Sequence, residues 1–115
     1  MEVINTNDAG LRRLAHEHLK VFAKFTSDHD CDACEQLAPH ISRFALDPTY
    51  EGIAFLRLDS DQNPVARKLM NERSAPFFVS YCQGRMLECD TLTSEAEVRA
   101  QLDRLRAFEP VTVRH

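Results

Sequence analysis

The sequence predicts an α/β fold in which a mixed β-sheet carries helices on both faces. Short apolar runs rich in β-branched and aromatic residues alternate with longer segments of helical periodicity. The last two runs are separated only by Gln83-Gly84, which is typical of a β-hairpin. The order β-α-β-α-β-α-β-β-α indicates a sheet that is parallel in its first half and antiparallel at its end. At 115 residues we expect one domain over 1–115, with a core over about 2–108 and a tail over 109–115.

The elements of the first half have recognisable ends. Thr6 or Asn7 can cap the first helix. Pro39 lies inside the second helix, where it removes one hydrogen bond and is expected to kink the helix. The predicted elements are an edge strand over 2–5, a helix to about Leu19, a buried strand over Val21–Phe25, and a helix from Cys31 to the loop at Asp47-Pro48.

The second half is marked by capping and turn residues. Asn63 is a candidate N-cap with Pro64 at the first helical position, and Asn71 suits the left-handed residue that closes a helix. Ser94 and Glu97 form a capping box. The predicted elements are a buried strand over Ile53–Asp59, a helix to about Met70, strands over 77–82 and 85–90, and a helix to about Phe108.

The cysteines fall into two groups. Pairing across Gln83-Gly84 sets Cys82 opposite Arg85 and Cys89 opposite Phe78, so these two cysteines are predicted to be free thiols. Cys31 and Cys34 are too close in sequence to join distant segments, and a chain of this size needs no disulfide scaffold.

The segment Cys31-Asp32-Ala33-Cys34 carries the chemistry. Two cysteines at i and i+3 on the first turn of a helix lie on one face, so their sulfurs can meet. Cys31 also lies where free backbone N–H groups and the helix dipole favour an anion, and the thiolate is the reactive form of cysteine. Because Cys31 follows the end of a buried strand, it lies at the sheet edge where ligands usually bind. This combination indicates thiol–disulfide exchange.

Composition excludes several other classes. The net charge is −4 and basic residues form no cluster, which argues against nucleic acid or an anionic membrane as the main partner. No run approaches the roughly 20 apolar residues of a membrane span. The first residues are neither basic nor followed by an apolar run, so we expect no secretory signal and a cytoplasmic location.

The chain resembles the thioredoxin superfamily over roughly residues 2–108. The matching segments are the Cys31–Cys34 motif with Pro39 five residues beyond it, Leu58 to Pro64, Ser74-Ala75-Pro76, and the Gln83-Gly84 hairpin. The resemblance implies the thioredoxin fold, with Cys31 as the attacking cysteine and Cys34 as the resolving one. It also implies a cis Pro76 facing them, and substrate contacts at Asp32, Ala33, Ala75 and Pro76.

The chain departs from the usual pattern around the cysteines. It has no tryptophan, and Leu92 stands where thioredoxins have a glycine that helps shape the docking surface. Lys24 stands where thioredoxins have a buried aspartate; a cation there favours thiolate, unless the side chain extends to solvent and has no effect. Protonated His29 also favours the thiolate of Cys31. Neighbouring acids have the opposite effect, because their negative charge raises the pKa of the Cys31 thiol; these acids are Asp28, Asp30, Asp32 and Glu35. The acids form either a solvated rim or a selectivity device.

These features predict a monomeric thiol–disulfide oxidoreductase of redox homeostasis, with Lys24, His29 and Asp30 as pKa-modulating residues at the cysteine pair. Its partners would be proteins with disulfides and a dithiol reductase, and its redox-active disulfide would need no cofactor and no metal. One alternative is a redox-inactive or redox-sensing binding module that uses the Pro76 groove. The other is a metal-binding module built on Cys31 and Cys34, to which His29 or His40 could contribute only with further ligands.

Overall fold

A computed structural model describes residues 2–27, 31–71 and 73–110. These residues form five strands, four α-helices and one 3₁₀ turn, in the predicted order. The elements are β1 (Ile4–Asn5), α1 (Asp8–Glu17), β2 (Lys20–Thr26), α2 (Asp32–Leu46), a 3₁₀ turn (Pro48–Tyr50), β3 (Ile53–Asp59), α3 (Pro64–Met70), β4 (Phe77–Cys82), β5 (Arg85–Thr91) and α4 (Glu95–Ala107).

The strands make one mixed sheet in the order β1-β3-β2-β4-β5. β1 and β2 run parallel to β3, whereas β4 runs antiparallel to both β2 and β5, as the sequence predicts. Phe25 near the end of β2 is opposite both Leu58 of β3 and Phe77 of β4. The C-terminal ends of β2 and β3 and the start of β4 therefore meet at one edge of the sheet.

Each face of the sheet carries its own apolar core. On one face, α2 and α4 pack over aromatic side chains of the strands; this core includes Phe22, Phe55, Phe78, Ile41 and Leu102. On the other face, α1 and α3 pack over a second set of strand side chains; this core includes Leu11, Phe25, Leu56, Met70 and Phe77. The prediction of helices on both faces is confirmed.

The hairpin contains an irregularity that the sequence analysis missed. Gln83 and Gly84 both have positive φ, and Cys82 is opposite Arg85 as predicted. The prediction that Cys89 is opposite Phe78 is wrong, because Cys89 is opposite Val79. The register shifts between Ser80 and Tyr81, where β5 contributes Leu87 as an extra residue, as a β-bulge does. Cys82 and Cys89 remain free thiols, as predicted.

The helix ends follow the capping signals with two exceptions. α1 ends at Glu17, and Leu19 lies in the turn beyond it with 51% of its surface exposed. Asn63 occupies the N-cap position of α3 but its side chain makes no capping bond. Instead the Asp8 carboxylate accepts hydrogen bonds from the backbone N–H groups of Val65 (2.9 Å) and Ala66 (3.0 Å). A side chain of α1 therefore caps α3.

Replacing Asp8 with alanine is expected to lower the free energy of unfolding by about 1–3 kcal/mol, because two N–H groups at the start of α3 lose their acceptor. Urea unfolding followed by circular dichroism measures the change. Glu17→Ala removes an exposed carboxylate from the same helix and serves as the control. Equal losses in the two variants would contradict the capping role.

Candidate active site

The two cysteines of the motif are joined by a disulfide at the start of α2. Their Cα atoms are 5.2 Å apart, and Cys31 is the N-cap residue of the helix. Cys31 is half-buried whereas Cys34 is buried, with 6% of its surface exposed. An incoming molecule therefore reaches Cys31 more readily than Cys34.

One backbone N–H of the first helical turn contacts the Cys31 sulfur. The N–H of Cys34 donates a hydrogen bond to Cys31 Sγ at 3.2 Å, and the N–H of Glu35 donates to the Cys31 carbonyl at 3.3 Å. Because an N-cap position receives the positive end of the helix dipole, a negative charge on this sulfur would be stabilised.

Lys24 lies against the backbone of Cys34 and lines the same cleft as the disulfide. Only 2% of its surface is exposed, and its Nζ donates a hydrogen bond to the Cys34 carbonyl at 2.9 Å. The alternative in which Lys24 extends to solvent is therefore wrong. Burial and, to a smaller extent, the positive charge of Arg57 together lower the pKa of Lys24 to about 8. A titratable cation thus lies against the cysteine pair.

A cleft of about 410 Å³ opens beside the disulfide. Both cysteines line it, together with the cations Lys24 and Arg57. Two carboxylates, Asp32 and Glu35, line the same cleft and are exposed. Opposite charges therefore face the sulfurs within one small space.

Arg57 is a residue of the site that was not predicted from the sequence. It is directly opposite Lys24 in the parallel pairing of β2 with β3, and it is the exposed position within an otherwise mostly buried strand. The basic residue inside the apolar run 53–58 was the available signal. Its partner could not be identified without the register of the two strands.

The segment before β4 reaches the same edge of the sheet as the end of β2. The Ala75–Pro76 peptide bond is cis, Ala75 is half-buried and Pro76 is buried. The Pro76 carbonyl accepts a hydrogen bond from the Leu92 N–H at 3.3 Å, and the Leu92 side chain is buried in the core under α2 and α4. The substrate contacts at Asp32, Ala33, Ala75 and Pro76 stay predictions.

Two of the predicted pKa-modulating residues, His29 and Asp30, lie outside the described residues, as does Asp28. Within residues 2–27, 31–71 and 73–110, no group of three or more histidine, cysteine or acidic side chains is arranged to hold a metal ion. His40 instead lies 3.4 Å from the Glu95 carboxylate of α4 and contacts Arg43. Among the same residues, no helix is both long and apolar enough to cross a membrane.

Comparison with known proteins identifies the fold. No family model and no curated protein sequence matches the chain. Among solved structures, Malassezia sympodialis thioredoxin aligns with a TM-score of 0.81 at 16% identity, covering 93% of this chain and 96% of that one. The short form of spinach chloroplast thioredoxin f gives 0.82 at 19% identity, covering 92% and 95%. Fasciola hepatica thioredoxin gives 0.77 at 23% identity, covering 91% and 99%.

These similarities define the fold. The chain has the thioredoxin fold, and a Cys-x-x-Cys disulfide lies at the start of its second helix. The predicted fold is confirmed.

Proposed function

We propose that this protein is a thiol–disulfide oxidoreductase acting on protein disulfides. The observation that carries the proposal is the Cys31–Cys34 disulfide at a helix N-terminus, with Cys31 half-buried and Cys34 buried. A structural disulfide does not require its two cysteines to differ in exposure. Thiol–disulfide exchange requires one accessible sulfur that attacks the substrate and one protected sulfur that resolves the mixed disulfide.

The reaction begins with the reduced form. The Cys31 thiolate attacks one sulfur of the substrate disulfide, forms a mixed disulfide and releases the other substrate sulfur as a thiolate, which takes up a proton. The Cys34 thiolate then attacks Cys31 Sγ, restores the Cys31–Cys34 disulfide and releases the second substrate thiol. Two electrons pass from the protein to the substrate, and a dithiol reductant returns them.

Lys24 assists the second step in this proposal. Its ammonium group lies against the Cys34 backbone, so its positive charge favours the thiolate of Cys34 over the thiol. Arg57, in the same cleft, adds to this field. Asp32 and Glu35 oppose it from the exposed side of the cleft. The balance of these charges sets how much thiolate forms near neutral pH.

The proposal extends to the partners. Disulfide-bearing proteins and a dithiol reductase fit the chemistry, with Ala75 and Pro76 offering backbone contacts to an extended peptide. The predicted cytoplasmic location and monomeric state stay predictions.

The test is the reduction of insulin disulfides by dithiothreitol, followed as turbidity from the released B chain. We expect the protein to accelerate the reaction at catalytic concentration, and the Cys89→Ser variant, which retains the Cys31–Cys34 pair, to match it. Equal rates with and without the protein would contradict the proposal and favour the binding-module alternative.

A further inference from the structure

A second cleft lies next to the disulfide site, on the face of the sheet that carries α3. It has a volume of about 510 Å³, and we call it the α3 cleft. Ala75 lines it just before Pro76, and Ser27 lines both this cleft and the one beside the disulfide. The two clefts therefore share a lining residue directly after β2, so a peptide that reacts at Cys31 lies close to the α3 cleft.

The α3 cleft is rich in positive charge. Among the described residues that line it, Arg67, Lys68 and Arg73 are cations and Asp61 is the one carboxylate, which already accepts a hydrogen bond from the Ser27 hydroxyl at 2.8 Å. Arg73 forms an ion pair with Asp90 at 3.1 Å, but both side chains are more than half exposed, so the pair leaves Arg73 accessible.

Arg67 and Lys68 are the free cations of the cleft. Both are exposed, and within the part of the chain that the structure describes neither makes an ion pair. They lie in the last turn of α3, where the helix dipole contributes about half a negative charge. Two full positive charges exceed the sum of that contribution and the charge of Asp61, so the described lining attracts anions although the chain as a whole carries −4.

We propose that the α3 cleft binds an acidic segment of the protein whose disulfide reacts at Cys31. This inference rests on the proposed function and names its substrate class: disulfides flanked by aspartate or glutamate. The cleft beside the disulfide presents Asp32 and Glu35, which would repel a long polyanion. A peptide with a short acidic stretch beside its cysteine is compatible with the charges of both clefts. Its cysteine would react at Cys31, and its carboxylates would bind Arg67 and Lys68.

The test uses the reduced 115-residue protein and two cysteine peptides of equal length, each supplied as its disulfide-linked dimer. One peptide carries glutamates beside the cysteine and the other carries glutamines. We expect the glutamate peptide to react about tenfold faster at low ionic strength, since electrostatic steering raises association rates by 10-fold or more. The difference should shrink toward 0.15 M salt, where charges are screened beyond about 8 Å.

The variant pair Arg67→Gln/Lys68→Gln should remove most of this preference while leaving the glutamine peptide unaffected. Arg13→Gln/Arg106→Gln makes the same change in net charge at exposed positions outside the cleft and should keep the preference. A preference that survives in the first pair, or is lost equally in both, would overturn the inference.

Hydroxyethyl disulfide, which is small and neutral, separates this inference from the proposed function. Wild-type protein and both variant pairs should reduce it at the same rate. If the wild type reduces it but shows no preference for the glutamate peptide, the inference fails and the proposed function stands. If the wild type reduces no disulfide at all, the proposed function is contradicted, and the inference that rests on it is contradicted with it.

Discussion

Cys31→Ser is expected to lower the reduction of insulin disulfides to the rate of dithiothreitol alone, because the attacking thiolate is removed. Cys34→Ser should also lose turnover, but by a different route. It keeps the half-buried Cys31 and lacks the buried sulfur that resolves the mixed disulfide. When the pre-reduced variants are mixed with the disulfide substrate in the absence of dithiothreitol, mixed disulfides should therefore accumulate in Cys34→Ser and be absent from Cys31→Ser.

Non-reducing electrophoresis and intact mass spectrometry measure this difference directly. The adduct should have the mass of the protein plus one substrate chain, and dithiothreitol should release it. Cys89→Ser is the matched control, because Cys89 is also a partly accessible thiol but lies outside the disulfide. Adducts of comparable yield in Cys31→Ser would mean that another thiol reacts and would contradict the assigned roles.

Lys24→Met is expected to change the pH dependence of stability. Burial lowers the pKa of Lys24 from 10.5 to about 8, so between these values the unfolded chain binds more protons than the folded one. The free energy of unfolding of the wild type should therefore rise with pH across this window, by about 3 kcal/mol in total, relative to Lys24→Met. Below pH 8 the cost of burying the charge is fully present.

Urea unfolding of the oxidised proteins at several pH values between 7 and 10.5 gives this comparison. The free energy of unfolding of the variant is subtracted from that of the wild type at each pH, so that the contributions of other titrating groups cancel. Lys20→Met is the control: Lys20 lies on the same strand, where its ammonium group bonds the carbonyls of Arg106 and Phe108 in an exposed setting. A parallel pH profile for wild type and Lys24→Met would contradict the assignment.

The same substitution should shift the redox equilibrium. Lys24 favours the thiolate of the reduced form and has no comparable charge to stabilise in the disulfide. Removing it should make the reduction potential more negative by roughly 30 mV, the equivalent of one pKa unit at a coupled thiolate. Lys20→Met should leave the potential unchanged.

Local signals in the sequence were sufficient for most of the fold. The Gln83-Gly84 turn, Asn71 with its positive φ, and the Ser94–Glu97 capping box each act within a few residues, so their geometry follows from the residues themselves. The capping of α3 by Asp8 could not be predicted in this way. It joins residues more than fifty positions apart and depends on how α1 and α3 pack.

In the candidate site, too, local features were predictable from the sequence and long-range contacts were not. The motif spacing predicted the Cys31–Cys34 pair and its place on α2, because i and i+3 share a helical face. The arrangement of the cations in the site depends instead on the register of β2 and β3, which places Arg57 opposite Lys24. The bulge at Leu87 likewise arises from the pairing of β4 with β5, so the partner of Cys89 was assigned one residue away.

The reduction potential of the Cys31–Cys34 couple tests the central claim most directly. Equilibration with dithiothreitol and glutathione buffers, followed by thiol alkylation and mass analysis of the two cysteines, gives its value. A working oxidoreductase should show a reversible two-electron couple between about −120 and −270 mV. A potential below about −300 mV, typical of structural disulfides, would contradict the account.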